Sequence, residues 1–410
     1  MPPKPHPAPR IGLALAGGGP LGAIYEIGAL CALQEALPDV DFNALDGYVG
    51  VSAGGFIAAG LANGLTPRQL CTSFILNSGP AEDVISPRLF ISPAWAELAQ
   101  RAASLPSLAL QALWHLASDR RGGLPALERL GRALPTGLFS NAPLEAQMAR
   151  VLSAPGRHND FRRLRAERGR HLVLVATDLD SGEALPFGQP GLDHVPISRA
   201  VAASAALPGL FPPVPIDGRW CVDGALKKTL HARVLLDQGL DLVLCLNPLV
   251  PFDARRGAHR VGQRSHIPHL VKGGLPVVLS QTFRSLIHSR LELGLKGYEL
   301  SHPDTDILLF EPDHRDPEIF LANLFGYGQR QALAEHAYRQ TRADLRSRRS
   351  ALRTTLARHG LRLHDAVLDN PHRRLISQPQ APLKAPTAAH TLQRLDEVLH
   401  DLERALAVQR

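Results

Sequence analysis

Gly50-Val51-Ser52-Ala53-Gly54 fits G-x-S-x-G, the pattern of a serine held on a tight turn between a strand and a helix. Before it, Asp46 to Gly50 contains Tyr48 and Val49 and reads as a short buried strand. After it, Gly55 to Leu65 is apolar and rich in alanine, as a buried helix would be. A serine at such a corner projects its hydroxyl outward, and small neighbours let a substrate come close. Glycine and serine also cluster in ordinary turns, so the pentapeptide acquires meaning from what surrounds it.

A second glycine-rich corner lies upstream. Ile11 to Ala16 reads as a buried strand, Gly17-Gly18-Gly19-Pro20-Leu21-Gly22 follows at once, and a helical pattern runs from about Ala23 to Leu37. Pro20 suits the first turn of that helix, where a missing N–H costs nothing. Glycines at a helix N-terminus leave backbone N–H groups open to an anion, and the helix dipole adds to the attraction. The anion is either the phosphate of a nucleotide or the oxyanion formed when a serine attacks an ester. Gly17, Gly19 and Gly22 match the spacing of a dinucleotide fingerprint. That site also needs a carboxylate at the far end of the second strand, where this chain has Val51-Ser52-Ala53-Gly54-Gly55; Asp46 lies at the wrong end. An oxyanion hole beside Ser52 explains both corners with one chemistry.

A serine hydroxyl needs a base to take its proton. The chain has 18 histidines, so composition leaves a Ser-His-Asp triad open. His231, His259, His266, His269, His288, His302 and His314 lie in polar or basic contexts, and none sits in an evident catalytic turn. Asp223 is the better candidate. Arg219-Trp220-Cys221-Val222 reads as a strand ending in Asp223-Gly224-Ala225, whose two small residues allow close approach of another backbone. An ordinary Asp-Gly turn is the competing reading of that triplet.

In combination these segments resemble the patatin-like phospholipases of the bacterial type, a family of lipid acyl hydrolases. The loop Gly17 to Gly22, the elbow Gly50 to Gly54 and the triplet Asp223-Gly224-Ala225 stand in the family's order. Ala176-Thr177-Asp178-Leu179-Asp180-Ser181-Gly182 and the run Ala203 to Pro213 also look like family segments, and the resemblance covers roughly residues 10 to 340. It implies a Ser-Asp dyad with Ser52 as nucleophile and Asp223 as general base. It also implies an oxyanion hole from the N–H groups of Gly17, Gly18 and Gly19, and no cofactor. Acyl lipids or phospholipids are the implied substrates. The family's glycine loop often carries Arg or Lys where this chain has Leu21, which bears on rate and headgroup choice but not on a hole made of backbone N–H groups.

The strand candidates are Ile11–Ala16, Asp46–Gly50, His171–Thr177, Arg219–Asp223, Asp241–Asn247 and Asp306–Glu311, and several hold continuous apolar runs, as in Leu172 to Val175 and Leu242 to Leu246. Such runs fit strands buried on both faces, and helical segments separate most of them. The expected fold is α/β, with a mostly parallel central sheet covered by helices on both faces. The expected organisation is a disordered, proline-rich leader (1–9), an acyl hydrolase domain (10–340) and a helical C-terminal extension (341–410). A stretch from Ile85 to Thr136 interrupts the alternation and holds Trp95 and Trp114. It is read either as a lid or lipid-contacting cap over Ser52 or as helices packed on the core. Leu275 to Lys296 and the chain from Phe310 to about His359 read as helical. Beyond a linker at Gln378 to Thr387, Leu392, Leu395, Leu399, Leu402 and Leu406 form a stripe at helical spacing. That stripe would dock on the core, lie on a membrane or pair subunits in a homo-oligomer.

No run approaches the roughly 18–20 apolar residues of a membrane-spanning helix, and the start lacks the apolar core of a signal peptide. Cys31, Cys71, Cys221 and Cys245 are far apart, with no metal-ligand spacing, and three of them lie in apolar contexts. Thiols of that kind suit a reducing compartment, so a cytoplasmic location is expected. No calcium-site motif is visible. The formal charge of +7 has two readings: attraction to anionic lipid, with peripheral membrane association, or a GC-rich genome that favours arginine. Only six of the 45 basic residues are lysine, which suits the second. No nucleic-acid-binding motif accompanies the charge.

Overall fold

The computed structural model describes residues 8–80, 83–85, 89, 91–95, 97–103, 105–107, 134–254, 269–320 and 329–376. Its centre is one eight-stranded sheet in the order β5-β6-β3-β2-β1-β7-β8, with β4 paired to β3. The strands are β1 (Ile11–Leu15), β2 (Gly47–Val51), β3 (His171–Asp178), β4 (Ala184–Phe187), β5 (Val214–Ile216), β6 (Arg219–Asp223), β7 (Leu242–Leu246) and β8 (Asp306–Phe310). The pairs β1–β2, β1–β7, β2–β3 and β7–β8 are parallel, whereas β4, β5 and β6 join antiparallel.

The alternation of side chains along these strands builds two apolar layers. Leu13, Leu15, Tyr48, Leu172 and Leu174 face one layer with helices α1 (Gly19–Ala36), α2 (Ala53–Ala62) and Ile197–Ser204. Ala14, Val49, Val51, Val173, Val175 and Val243 face the other, against Leu235, Leu236, Leu291 and Tyr298 of helices Arg233–Leu236 and Gly274–Ser301. Helices therefore cover both faces, as the apolar runs require. Among the described residues no helix is long and apolar enough to cross a membrane.

β4 and β5 are the strands that the sequence reading omitted. Each carries a proline in its middle, Pro186 opposite Val175 and Pro215 opposite Trp220. Proline lacks the N–H of an interior ladder residue but is tolerated at edges, and β5 is an edge of this sheet. The same edge additions make the sheet mixed rather than wholly parallel. α1 starts at Gly19 and α2 at Ala53, earlier than the apolar patterns suggested, because each helix begins directly at its glycine-rich corner.

Position 340 falls inside helix Arg330–Ser347, and Leu352, Leu356, Leu361, Leu368 and Ile376 join the same core. Arg342 ties this region down. It is buried, donates to the carbonyls of Val367 and Asn370, and lies with its guanidinium over the Tyr338 ring. The described ends of the 85–136 stretch are anchored by Ala94 N–H to Leu138 O, Phe139 N–H to Leu210 O and Gly209 N–H to Thr136 O. Trp95 is exposed there. Trp114, the linker after Gln378 and the leucine stripe from Leu392 lie outside the described residues, as does most of the leader.

Candidate active site

β1 and β2 are neighbours, so the turns after them meet at the carboxyl end of the sheet. Ser52 occupies the turn after β2 with φ 52° and ψ −122°, a conformation that L residues rarely adopt. Glycines make the corner fit. A side chain on Gly50 would stand 2.5 Å from Gly55 Cα, and one on Gly54 would stand 2.5 Å from the Ala16 carbonyl. Without them the start of α2 lies directly against the end of β1, and Gly54 N–H donates to Ala16 O at 3.2 Å.

The glycine loop closes on the same point. A Cβ on Gly17 would lie 3.1 Å from the Ala225 methyl and 3.2 Å from Ser52 Cβ. Gly18 caps α1, Gly19 takes φ 59°, and Gly22 N–H returns to Gly18 O at 2.9 Å. A side chain on Gly18 would collide with Gly22 Cα at 2.7 Å and Pro248 Cγ at 2.8 Å. The amides of the first turn of α1 have no acceptor within the helix, so this end attracts negative charge. Leu21 is buried and packs with Ile24, Tyr25, Ile319 and Leu333, so its side chain belongs to the core.

Sheet register brings the aspartate alongside. Val51 pairs with Val175, and the next residue of β3, Ala176, pairs with Asp223 at the end of β6. Ser52 and Asp223 thus leave their strands at the same level, close enough that the Ser52 hydroxyl stabilises the Asp223 carboxylate. Asp223 is fixed further by Ala225 N–H to Oδ1 at 2.8 Å and by its own N–H to Ala206 O at 3.0 Å. Gly224 is needed because a Cβ there would meet the Val175 carbonyl at 2.1 Å. Burial pushes the Asp223 carboxyl up to about 6, against the pull of the Ala225 N–H and the Ser52 hydroxyl. Ser52 is 6% exposed and Asp223 3%, so the pair is shielded from water.

Among the described residues no histidine hydrogen-bonds Ser52. His231, close in sequence to Asp223, is buried with its Nε2 unpartnered; desolvation pushes its imidazole down to about 4, so it is neutral. Asp46 sits at the opposite end of β2, where its Oδ2 accepts from Ile11 N–H at 2.8 Å. The Asp178 to Gly182 segment forms the β3–β4 turn, with Ser181 Oγ donating to Asp178 Oδ2 at 3.0 Å.

Ser204 gained no role from the sequence. Its wholly buried hydroxyl accepts from Ser52 N–H at 2.8 Å and donates to Val175 O at 2.6 Å, pinning the corner to β3. A buried N–H left without its acceptor costs about 1–3 kcal/mol. Ser204→Ala is therefore expected to lower kcat about tenfold with little change in KM, because it loosens the serine without touching a substrate. Steady-state kinetics on a soluble ester would check this; a change confined to KM would contradict it. Nothing in the sequence marks this serine beyond its helix, since its partners are 29 and 152 residues away. Glu26 was missed for a similar reason: it lies on α1, is wholly buried, and desolvation holds its carboxyl well above the usual range.

A family model for patatin-like phospholipases matches residues 13–236, more than half of the chain. Among solved structures, VipD from Legionella pneumophila is similar at 16% identity with a TM-score of 0.35, over 81% of this chain and 67% of that one. ExoU of the type III secretion system of Pseudomonas aeruginosa, solved with SpcU, gives 20% identity and a TM-score of 0.29 over 71% of this chain and 53% of that one. Human GIVD cytosolic phospholipase A2 gives 15% and 0.24, over 59% and 41%. The chain thus spans about half of the ExoU structure and less of the human one. The matched region contains the glycine loop, the serine elbow and the aspartate triplet, and the chain belongs to the patatin-like phospholipase family.

Proposed function

We propose that this protein is a lipid acyl hydrolase, of the phospholipase A or lysophospholipase type, working through Ser52 and Asp223. The observation that carries the reading is the placement of the Ser52 hydroxyl beside a buried Asp223 carboxylate and a glycine loop at a helix N-terminus. Asp223 takes the proton of Ser52 as Oγ attacks the ester carbonyl. The amides of Gly17, Gly18 and Gly19 receive the oxyanion, and the alcohol departs with the proton from Asp223. Water then attacks the acyl-serine, gives a proton to Asp223, and the carboxylic acid leaves as Ser52 is restored. A carboxyl that ionises near 6 is charged at neutral pH yet more basic than an ordinary aspartate, which suits a base working without histidine.

A buried carboxylate beside Ser52, with no described histidine hydrogen-bonded to that serine, favours this over a Ser-His-Asp esterase. It leaves a folded but inactive surface protein as the rival. A fluorophosphonate probe separates them. We expect one adduct per chain, mapped to Ser52 and absent from Ser52→Ala. A folded protein that takes no adduct would overturn the reading. The substrate is expected to be an acyl lipid at a membrane surface, where the +7 formal charge favours anionic lipid.

A further inference from the structure

We propose that His288, Glu311 and His314 bind one divalent transition-metal ion of the zinc class, in a site separate from Ser52 and Asp223. A nitrogen from each ring and a carboxylate oxygen of Glu311 lie within 4.8 Å of one another. The residues come from three places: the middle of helix Gly274–Ser301, the end of β8 and the loop that follows it. Two imidazoles and one carboxylate are a set that zinc accepts, with a fourth position left for water. Tetrahedral ligands around zinc stand about 3.4 Å apart at bonds of about 2.1 Å, so side chains must draw in by roughly an ångström.

The surroundings hold each group as a ligand would be held. His314 Nδ1 lies 3.1 Å from the Pro251 carbonyl. A carbonyl only accepts, so the proton sits on Nδ1 and the lone pair on Nε2. Asn247, wholly buried, donates through Nδ2 to Glu311 Oε1 at 2.6 Å, and its own oxygen accepts from Leu249 N–H at 3.1 Å. That second bond fixes which way the amide faces. His288 Nδ1 is buried with no hydrogen-bond partner and faces Glu311 Oε1 at 3.7 Å, while its Nε2 lies 3.4 Å from Glu292. The two rings meet edge to face at 4.8 Å. Carbonyl and amide partners that orient ligands in this way are the usual outer ring of a metal site.

Two cations lie nearby: Arg284, one turn before His288, is committed to Val250 O and to the face of Phe320, and Arg315, beside His314, to the Asp313 carboxylate. His314 also lines a cleft of 730 Å³ with Phe252, Asp253 and Asp313, which gives an ion a route in. The site would cross-link helix Gly274–Ser301 to the segment after β8, whose Glu311 and His314 hydrogen-bond Asn247 and Pro251 of the segment after β7. Pro248 of that segment packs against Gly18 and Gly22, so the ion would stiffen the wall behind the glycine loop. No sequence motif announces it, because His288 precedes Glu311 by the second half of a helix, a loop and a strand.

The test uses full-length protein stripped with a chelator and titrated with Zn2+, with Co2+ as an optical reporter. Wild type and Ser52→Ala are expected to bind one zinc per chain, to melt several degrees higher with zinc, and to show Co2+ bands of low coordination number. Glu311→Gln and His314→Ala are expected to weaken zinc binding by at least about 100-fold, since loss of an orienting partner alone costs about 10–100-fold. Should either variant fail to fold, wild type provides a second reading. Zinc must shield His288 and His314, among the 18 histidines, from diethyl pyrocarbonate. Absence of stoichiometric zinc, binding undiminished in both folded variants, or no shielding of these two rings would each overturn the proposal.

Discussion

Ser52→Ala and Asp223→Asn are each expected to reduce ester hydrolysis by about 10⁴-fold or more, with the fold intact. The size follows from how the two groups are coupled. A nucleophile and its base act as one unit, so removing either leaves only binding and oxyanion stabilisation. The double variant should therefore be scarcely worse than either single one. Ser52→Ala removes an oxygen and opens almost no space, and its backbone N–H keeps the bond to Ser204 Oγ. Asp223→Asn keeps an acceptor for Ala225 N–H but cannot take the Ser52 proton. Kinetics on a chromogenic ester and on phospholipid vesicles, beside circular dichroism of each variant, would check this. Additive losses, or substantial turnover in folded Asp223→Asn, would show that another base serves Ser52.

The sequence disclosed this site more fully than it disclosed the sheet, for a physical reason. Gly17, Gly50, Gly54 and Gly224 stand where a Cβ would strike backbone or the neighbouring Ser52 and Ala225. Close approach leaves glycine as its local signature, so three corners distant in the chain could be read as one site. The central strands were legible because burial on both faces makes them uniformly apolar. β4 and β5 were not, since Pro186 and Pro215 break the pattern of an interior strand and only their place at the sheet edge lets them pair. Ser204, Asn247 and His288 carry no local mark. Their importance lies in partners supplied by folding: Ser52 for the first, Glu311 for the other two. For the same reason Leu21 looked like a departure at the mouth of the loop, whereas its side chain is part of the core.

Asp223→Asn is also expected to make the protein more stable above pH 6, and the gain should vanish in acid. In the native state burial raises the Asp223 carboxyl to about 6, against about 3.9 for an unfolded aspartate. Between those values the native protein holds a proton that the unfolded chain releases. The contribution of this group to stability is thus fully present below about pH 4 and is lost as pH rises through 6. At pH 8 the desolvated carboxylate costs the native state on the order of 3 kcal/mol relative to its protonated form. Asparagine never carries that charge. Unfolding of wild type and Asp223→Asn followed from pH 4 to 8 should show curves that converge near pH 4, separate through about pH 5 and run parallel above about 6. Wild-type hydrolysis should climb about tenfold per pH unit below 6 and level off above it, because only the ionised carboxylate accepts the Ser52 proton. Activity and stability then run in opposite directions through one ionisation. A pH-independent stability difference would mean that Asp223 ionises as an ordinary surface carboxylate, and the climb in hydrolysis would then belong to some other group. What ties the two curves to Asp223 is that the stability gap stops widening at the pH where hydrolysis levels off: a buried carboxylate is unstable in the fold for the same reason that it is a strong enough base to serve a serine without histidine.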